Sequence, residues 1–245
     1  MLSLAACALA FMNPSARLAN GERVSLIGKG PPILFSSGLF DTMPRQFYNN
    51  LFDKLKKNVT LVVRDSLSPM PSNTPNMVSD ALCVDKIGML VHSSFDPNVL
   101  NAEVVDKAFL CDPIAFPSWS PLVGFEPPAV TTYASVFIAR AEKAYNGDTP
   151  IPEYISPQFD MVCHKMYEKV GHGDMLDDSW ADIARQIPWV PGAMPDRVEF
   201  AKWNVKGMNG ERDIRAAYRD ELADDICNFF SDVMPKDRFI APYPD

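Results

Sequence analysis

Lys86-Ile87-Gly88-Met89-Leu90-Val91-His92-Ser93-Ser94-Phe95-Asp96 is the stretch that decides the fold. Ile87 to Val91 is an apolar run that leads straight into His-Ser. A short unbroken run of this kind suits a strand buried on both faces, as in a parallel sheet. The preceding segment, Asn76 to Asp85, is amphipathic and reads as a helix. The order is therefore helix, buried strand, then a sharp turn carrying Ser93. From Ser94 to Ala102 the chain is short and includes Pro97, so any helix after the serine spans about two turns at most.

The flanking chain repeats the alternation. Turns at Asn20-Gly21 and Gly30-Pro31 bracket short strands. Ile33 to Ser36 is the first strand with a central character, and it runs into Ser37-Gly38-Leu39. Asp41-Thr42-Met43-Pro44 reads as a helix start, with the helix continuing to about Lys57. Phe47, Leu51 and Leu55 give it an apolar face. Val59 to Val63 is a β-branched strand. Val104 to Cys111 is a strand ending at Asp112-Pro113, and Val130 to Ala139 is a further strand candidate. Ala141 to Tyr145 has helical character. Met161 to Val170 leads into Gly171-His172-Gly173-Asp174. Glu211 to Val233 is a long helix, with Ile214, Ala217, Tyr218, Leu222, Ile226 and Phe229 at helical spacing. Strands alternating with helices predict an α/β fold, a mostly parallel sheet with helices on both faces. No repeat and no internal linker is visible, so residues 1–245 are expected to form one domain.

Composition narrows the function classes. The net charge is −8, without a dense run of Lys or Arg, which argues against a nucleic-acid partner. The 22 prolines outnumber the 12 glycines and cluster at Pro69–Pro75, Pro113–Pro128 and Pro150–Pro157, where long ordered loops are expected. The five cysteines, Cys7, Cys83, Cys111, Cys163 and Cys227, are widely spaced and form no C-x-x-C, so free buried thiols are expected rather than a zinc site. No metal and no cofactor is called for. Leu2 to Met12 is apolar but shorter than the roughly 20 residues of a membrane-spanning helix. It lacks the basic residues and cleavage site of a secretory leader, and an N-terminal strand or helix packed on the domain is expected instead.

Functional residues of a mostly parallel sheet collect at the carboxyl ends of its strands. Ser93, Asp112 and His172 each follow a strand. Their chain order, Ser, Asp, His, is that of the α/β-hydrolases, whose nucleophile sits on a strand-to-helix turn in the pattern G-x-S-x-G. Here that pattern reads Val91-His92-Ser93-Ser94-Phe95, without either glycine. In this chemistry Ser93 attacks an acyl carbonyl. His172 takes the hydroxyl proton and passes it to the leaving alcohol, and Asp112 fixes the imidazole tautomer. The oxyanion is met by backbone N–H groups of Ser94 and Leu39. The chain has three histidines. His92 adjoins the serine, so a strand points it to the other face. His164 lies in an apolar run as a core or surface group. Glu142 and Asp148, one strand later than Asp112, are alternative acids.

The most specific stretch is Gly171-His172-Gly173-Asp174-Met175-Leu176-Asp177-Asp178. It resembles the histidine motif of plant and algal chlorophyllases, G-H-x-D-M-L-D-D, and matches each of its fixed positions. His92-Ser93 is similar to the core of that family's G-H-S-R-G-G, and Asp112-Pro113 to its D-P-V. The resemblance runs from about Pro32 to Asp178. It implies an α/β-hydrolase fold and hydrolysis of a carboxylic ester, in that family the phytyl ester of chlorophyll, releasing chlorophyllide and phytol. The chain departs from the family at Val91, at Phe95, and at Ser37-Gly38, where the family has His-Gly. These departures leave open an esterase or lipase with another substrate, or a catalytically silent binding protein on the same fold.

A long-chain ester needs an apolar trough. Phe116-Pro117-Ser118-Trp119-Ser120-Pro121-Leu122-Val123-Gly124-Phe125 follows the acid directly, and Phe116, Trp119 and Phe125 are expected to form a wall or lid over Ser93. The implied partner is a small apolar ester. The protein is expected to be soluble, in the cytoplasm or a plastid rather than secreted.

Overall fold

Two apolar cores, one on each face of a sheet, organise the chain. The structure, a computed structural model, describes residues 15–93, 95–113, 134–142, 162–179 and 212–231. The strands are β1 (Ser15–Arg17), β2 (Arg23–Gly28), β3 (Pro32–Ser36), β4 (Thr60–Arg64), β5 (Ile87–His92), β6 (Val105–Cys111), β7 (Ser135–Ala141) and β8 (Val162–Tyr167). They form one sheet in the order β1-β2-β4-β3-β5-β6-β7-β8. β1 and β2 run antiparallel at one edge. From β4 to β8 every pairing is parallel.

Side-chain alternation along each strand sorts residues between the two cores. In β4, Leu61 and Val63 face one core and Val62 the other. In β5, Leu90 faces the first, and Met89 and Val91 the second. The first core is closed by α1 (Asn49–Leu55) and α3 (Arg212–Phe230), and the second by α2 (Thr74–Leu82). Leu51, Phe52 and Leu55 of α1 are each no more than 3% exposed. Burial of such side chains is worth about 1.5–3 kcal/mol apiece, which exceeds what helical propensity gives a helix of two turns. Helices on both faces of a mostly parallel sheet are what the sequence predicts.

Several boundaries differ from expectation. Asp41 to Pro44 does not begin a helix. A single helical turn, Gly38–Asp41, ends there, and Pro44 instead precedes a 3-10 turn, Arg45–Tyr48, that runs into α1. Pro44 cannot continue a helix entered from Gly38. α2 starts at Thr74 and stops at Cys83, whose left-handed φ of 53° turns the chain toward β5. Among the described residues after Ser93 the chain makes a 3-10 turn, Pro97–Asn101, rather than an α-helix before β6, with the Asp96 carboxylate accepting the Asn98 N–H at 2.9 Å. Gly28 and Gly30 carry φ of 106° and 129°, and a Cβ at either would lie 2.3 or 2.1 Å from the Val59 or Asn58 carbonyl oxygen. That close approach sets the β2–β3 connection against the start of β4.

The described cysteines are free thiols, as expected, but only two of them are buried. Cys111 and Cys163 are buried, Cys227 is half-buried and Cys83 is exposed, all as free thiols. Cys7 and the apolar Leu2 to Met12 lie outside the described residues. Among the described residues, no helix is long and apolar enough to cross a membrane.

Candidate active site

Three strand ends converge at the carboxyl edge of the sheet. β5 ends at His92, and Ser93 then takes a left-handed φ of 65°. Its N–H donates to the Cys111 carbonyl on β6 at 3.1 Å, so the turn is held to the neighbouring strand. A non-glycine residue at positive φ costs free energy and persists only where the surroundings impose it. The missing glycines do not prevent this turn. Val91 and Phe95 are 0% and 2% exposed and pack into the core on the α2 face, away from the His172 loop.

Asp112 repeats the device one strand over. It leaves β6 at a φ of 44°. Its N–H donates to the Ala139 carbonyl at 2.6 Å, and its Oδ1 accepts the Ala141 N–H at 3.3 Å. With backbone and carboxylate both gripped by β7, Asp112 turns its other oxygen, Oδ2, to the Nδ1 of His172. The two side chains are 4% and 6% exposed. Of the alternative acids, Glu142 does not sit on a helix. It is the turn residue that follows β7, and its Oε2 accepts the Lys169 N–H at 2.6 Å. Asp148 lies outside the described residues.

Three acidic residues after His172 anchor the histidine loop, one within the loop and two to neighbouring elements. The Asp174 carboxylate accepts the Gly171 N–H at 2.8 Å and closes the loop on itself. Asp177 docks it on α1 and the turn before it, its N–H donating to the Phe47 carbonyl of the 3-10 turn at 2.7 Å and its Oδ1 accepting the Asn50 N–H of α1 at 2.9 Å. A carboxylate there meets the first-turn N–H groups of α1, the usual place for one. Burial is the main influence on the Asp177 carboxyl and raises its pKa. Asp178 docks the loop on α3, accepting from Arg215 Nε at 3.1 Å and Arg219 Nη1 at 3.3 Å. Arg219 also donates to the Leu176 carbonyl at 2.9 Å. Met175 and Leu176 are buried in the core between α1 and α3.

His92 is the residue of this cluster that strand alternation alone discounts. It does face away from the Val91 side, but the face it meets is the one carrying the His172 loop. Its ring stacks on that of His172, with centroids 4.7 Å apart and planes at 28°. Its Nε2 lies 3.1 Å from the His172 carbonyl oxygen, and its Nδ1 lies 2.8 Å from the Tyr48 hydroxyl. That hydroxyl accepts the Gly38 N–H at 2.9 Å. Burial is the main cause of a His92 pKa well below the usual imidazole value, so the ring is neutral.

The loop after β3 is held by side chains as well. The Ser37 N–H donates to Asp41 Oδ1 at 2.8 Å. Arg64 donates to Asp41 Oδ2 at 2.6 Å and to Glu22. Burial raises the Asp41 pKa to about 6, against opposing contributions from the Ser37 N–H and Arg64. With Ser37 as N-cap, Leu39 is the second helical residue of Gly38–Asp41, where an N–H has no intrahelical acceptor. Ser94, Phe116, Trp119 and Phe125 lie outside the described residues. His164 is half-buried on β8. Among the described residues, no group of three or more His, Cys, Asp or Glu side chains could hold a metal ion.

A serine on a left-handed turn after β5 is followed in chain order by Asp112 and His172, on a mostly parallel sheet with helices on both faces. This is the α/β-hydrolase fold. No family model and no curated protein matches the chain. Solved structures similar to it include a serine hydrolase involved in carbazole degradation, at 12% identity and a TM-score of 0.49, covering 70% of this chain and 96% of that one. A putative aryl esterase from Burkholderia cenocepacia is 14% identical, with a TM-score of 0.46, covering 77% of this chain and 98% of that one. A membrane phospholipase A, a bacterial virulence factor, is 13% identical, with a TM-score of 0.49, covering 66% of this chain and 79% of that one.

Proposed function

We propose that the protein is a carboxylic-ester hydrolase that uses Ser93 as nucleophile, His172 as general base and Asp112 as its orienting acid. The observation that carries this reading is the buried bond from His172 Nδ1 to an Asp112 carboxylate that is itself fixed on β7. In this scheme Asp112 holds Nδ1 and the serine hydroxyl is served by Nε2, the division of labour between the two ring nitrogens that a triad needs. Ser93 Oγ forms a bond to the acyl carbon as its proton passes to His172 Nε2. The tetrahedral oxyanion is met by the N–H groups of Leu39 and Ser94. Collapse breaks the ester C–O bond, and His172 protonates the departing alkoxide, leaving an acyl-enzyme and a free alcohol. Water then repeats the sequence and releases the acid.

The substrate proposed for first trial is the phytyl ester of chlorophyll, on the similarity of residues 171–178 to the chlorophyllase motif. Phe116, Trp119 and Phe125 are proposed as the apolar wall that receives the long alcohol. No cofactor takes part in this scheme.

Labelling with a fluorophosphonate probe tests the nucleophile. Folded wild-type protein should be labelled at Ser93, and Ser93→Ala should be neither labelled nor active. The loss expected for a triad serine is on the order of 10⁴-fold or more. A wild-type protein left unlabelled, and inert toward chlorophyll and toward short and long synthetic esters, would instead point to a silent binding protein on the same fold.

A further inference from the structure

We infer that His92 is a positioning residue for the His172 base, the middle of a buried relay that ties the oxyanion loop, the serine turn and the histidine loop together. This deepens the esterase reading and rests on it. The relay runs from the Gly38 N–H to the Tyr48 hydroxyl, from that hydroxyl to His92 Nδ1, and from His92 Nε2 to the carbonyl of His172.

The direction of each bond follows from chemistry. A backbone carbonyl can only accept, so His92 Nε2 carries a proton. The ring is neutral, so Nδ1 is unprotonated and accepts. The Tyr48 hydroxyl therefore donates to Nδ1, while its oxygen accepts the Gly38 N–H. Tyr48 and His92 are each no more than 1% exposed. Burial raises the Tyr48 pKa far above its usual value, so the phenol keeps the proton it donates.

The consequence for the base is geometric. Asp112 holds the His172 side chain by Nδ1, and His92 holds its backbone by the carbonyl. A side-chain bond alone leaves the ring free to swing about the carboxylate, and a second point of attachment on the main chain removes that freedom. The stacked rings fix the spacing between the two histidines at 4.7 Å. His92 directly precedes Ser93 and is hydrogen-bonded to the main chain of the base, so displacement of one is felt by the other. A shift of about 1 Å in a catalytic group can cost 10²-fold in rate.

The test compares His92→Phe, which removes both hydrogen bonds while keeping a ring, with His92→Gln, whose amide N–H can still donate to the His172 carbonyl. Tyr48→Phe removes only the hydroxyl. Rates are normalised to active sites, and folding is followed by circular dichroism. His92→Phe should lower kcat about 30- to 100-fold with KM within about twofold. His92→Gln should recover most of the loss, and Tyr48→Phe should fall between wild type and His92→Phe. Nitrogen-15 spectra of wild type should show His92 as the Nε2–H tautomer. The downfield Nδ1–H resonance of His172 should broaden or disappear in His92→Phe. A folded His92→Phe that keeps both wild-type kcat and that resonance overturns the proposal, as does a His92 carrying its proton on Nδ1. If wild-type protein is unreactive to the fluorophosphonate probe, the esterase reading fails instead, and the two resonances alone decide the relay.

Discussion

His172 Nδ1 and the Asp112 carboxylate meet as a buried pair across 60 residues of chain. Asp112 can serve His172 because its Oδ1 and its N–H are both committed to β7. The carboxylate thus arrives already oriented, with one oxygen to give.

Asp112→Asn should therefore reduce kcat by about 10⁴-fold, because an amide N–H at that place favours the wrong imidazole tautomer. Glu142→Gln should retain most activity, since Glu142 pins Lys169 rather than touching the base. Steady-state kinetics on one ester substrate checks the order. Equal losses in the two variants would remove Asp112 from its role.

Asp178 is the acceptor for two guanidiniums whose side chains are 1% and 5% exposed. Asp178→Ala leaves both without that partner in the interior. Removing one member of a buried ion pair costs about 3–5 kcal/mol. As Asp178 itself is about one-third exposed, the loss should fall nearer half of that. Urea denaturation should show it as a lower midpoint, and kcat should fall as well because the clamp carries the His172 loop. Asp178→Asn should recover part of both.

Asp41 should make a pH-dependent contribution to stability whose sign follows from its burial. Its folded pKa is raised from 3.8 to about 6, chiefly by burial. The folded protein therefore binds the proton more tightly than the unfolded chain. Stability from this group is fully present below about pH 4 and is lost as pH rises through about 6, by about 3 kcal/mol in all. Denaturant titrations of wild type and Asp41→Asn at pH 4.5 and pH 7 should show the difference between them changing in that direction. A difference that does not move with pH would show that Arg64 offsets the burial in full.

Trp119→Ala should raise KM for long-chain esters by about tenfold and leave short water-soluble esters within about twofold, if the 116–125 stretch receives the alcohol. A kinetic comparison of a short and a long ester reads this directly. Equal effects on both would move the wall elsewhere in the chain.

Much of the fold is legible in the sequence. Apolar runs such as Ile87 to Val91 and β-branched Val59 to Val63 are local patterns, and a strand buried on both faces has few other ways to be written. The parallel sheet, the two-faced packing and the order Ser93, Asp112, His172 all follow from that local information. Turn chemistry is less legible. The helix ends around Pro44 and Cys83 depend on which neighbour the chain must pass, and the left-handed turns at Ser93 and Asp112 occur without glycine because the adjacent strands hold them.

Local patterns mark the strand ends at which chemistry could sit, and they single out residues 171–178 as a unit. What that unit holds on to emerges from the packed chain alone. Asp174, Asp177 and Asp178 bond to the loop itself, to α1 and to α3, and for Asp177 the partner on α1, Asn50, is 127 residues away in the chain. Packing also decided the standing of His92. Alternation gives the face a side chain takes but not what lies on that face, because the strand's neighbours are set by the packing of distant segments. The Tyr48 hydroxyl, 44 residues before His92, and the His172 carbonyl, 80 residues after it, arrive there only when the helices close over the sheet.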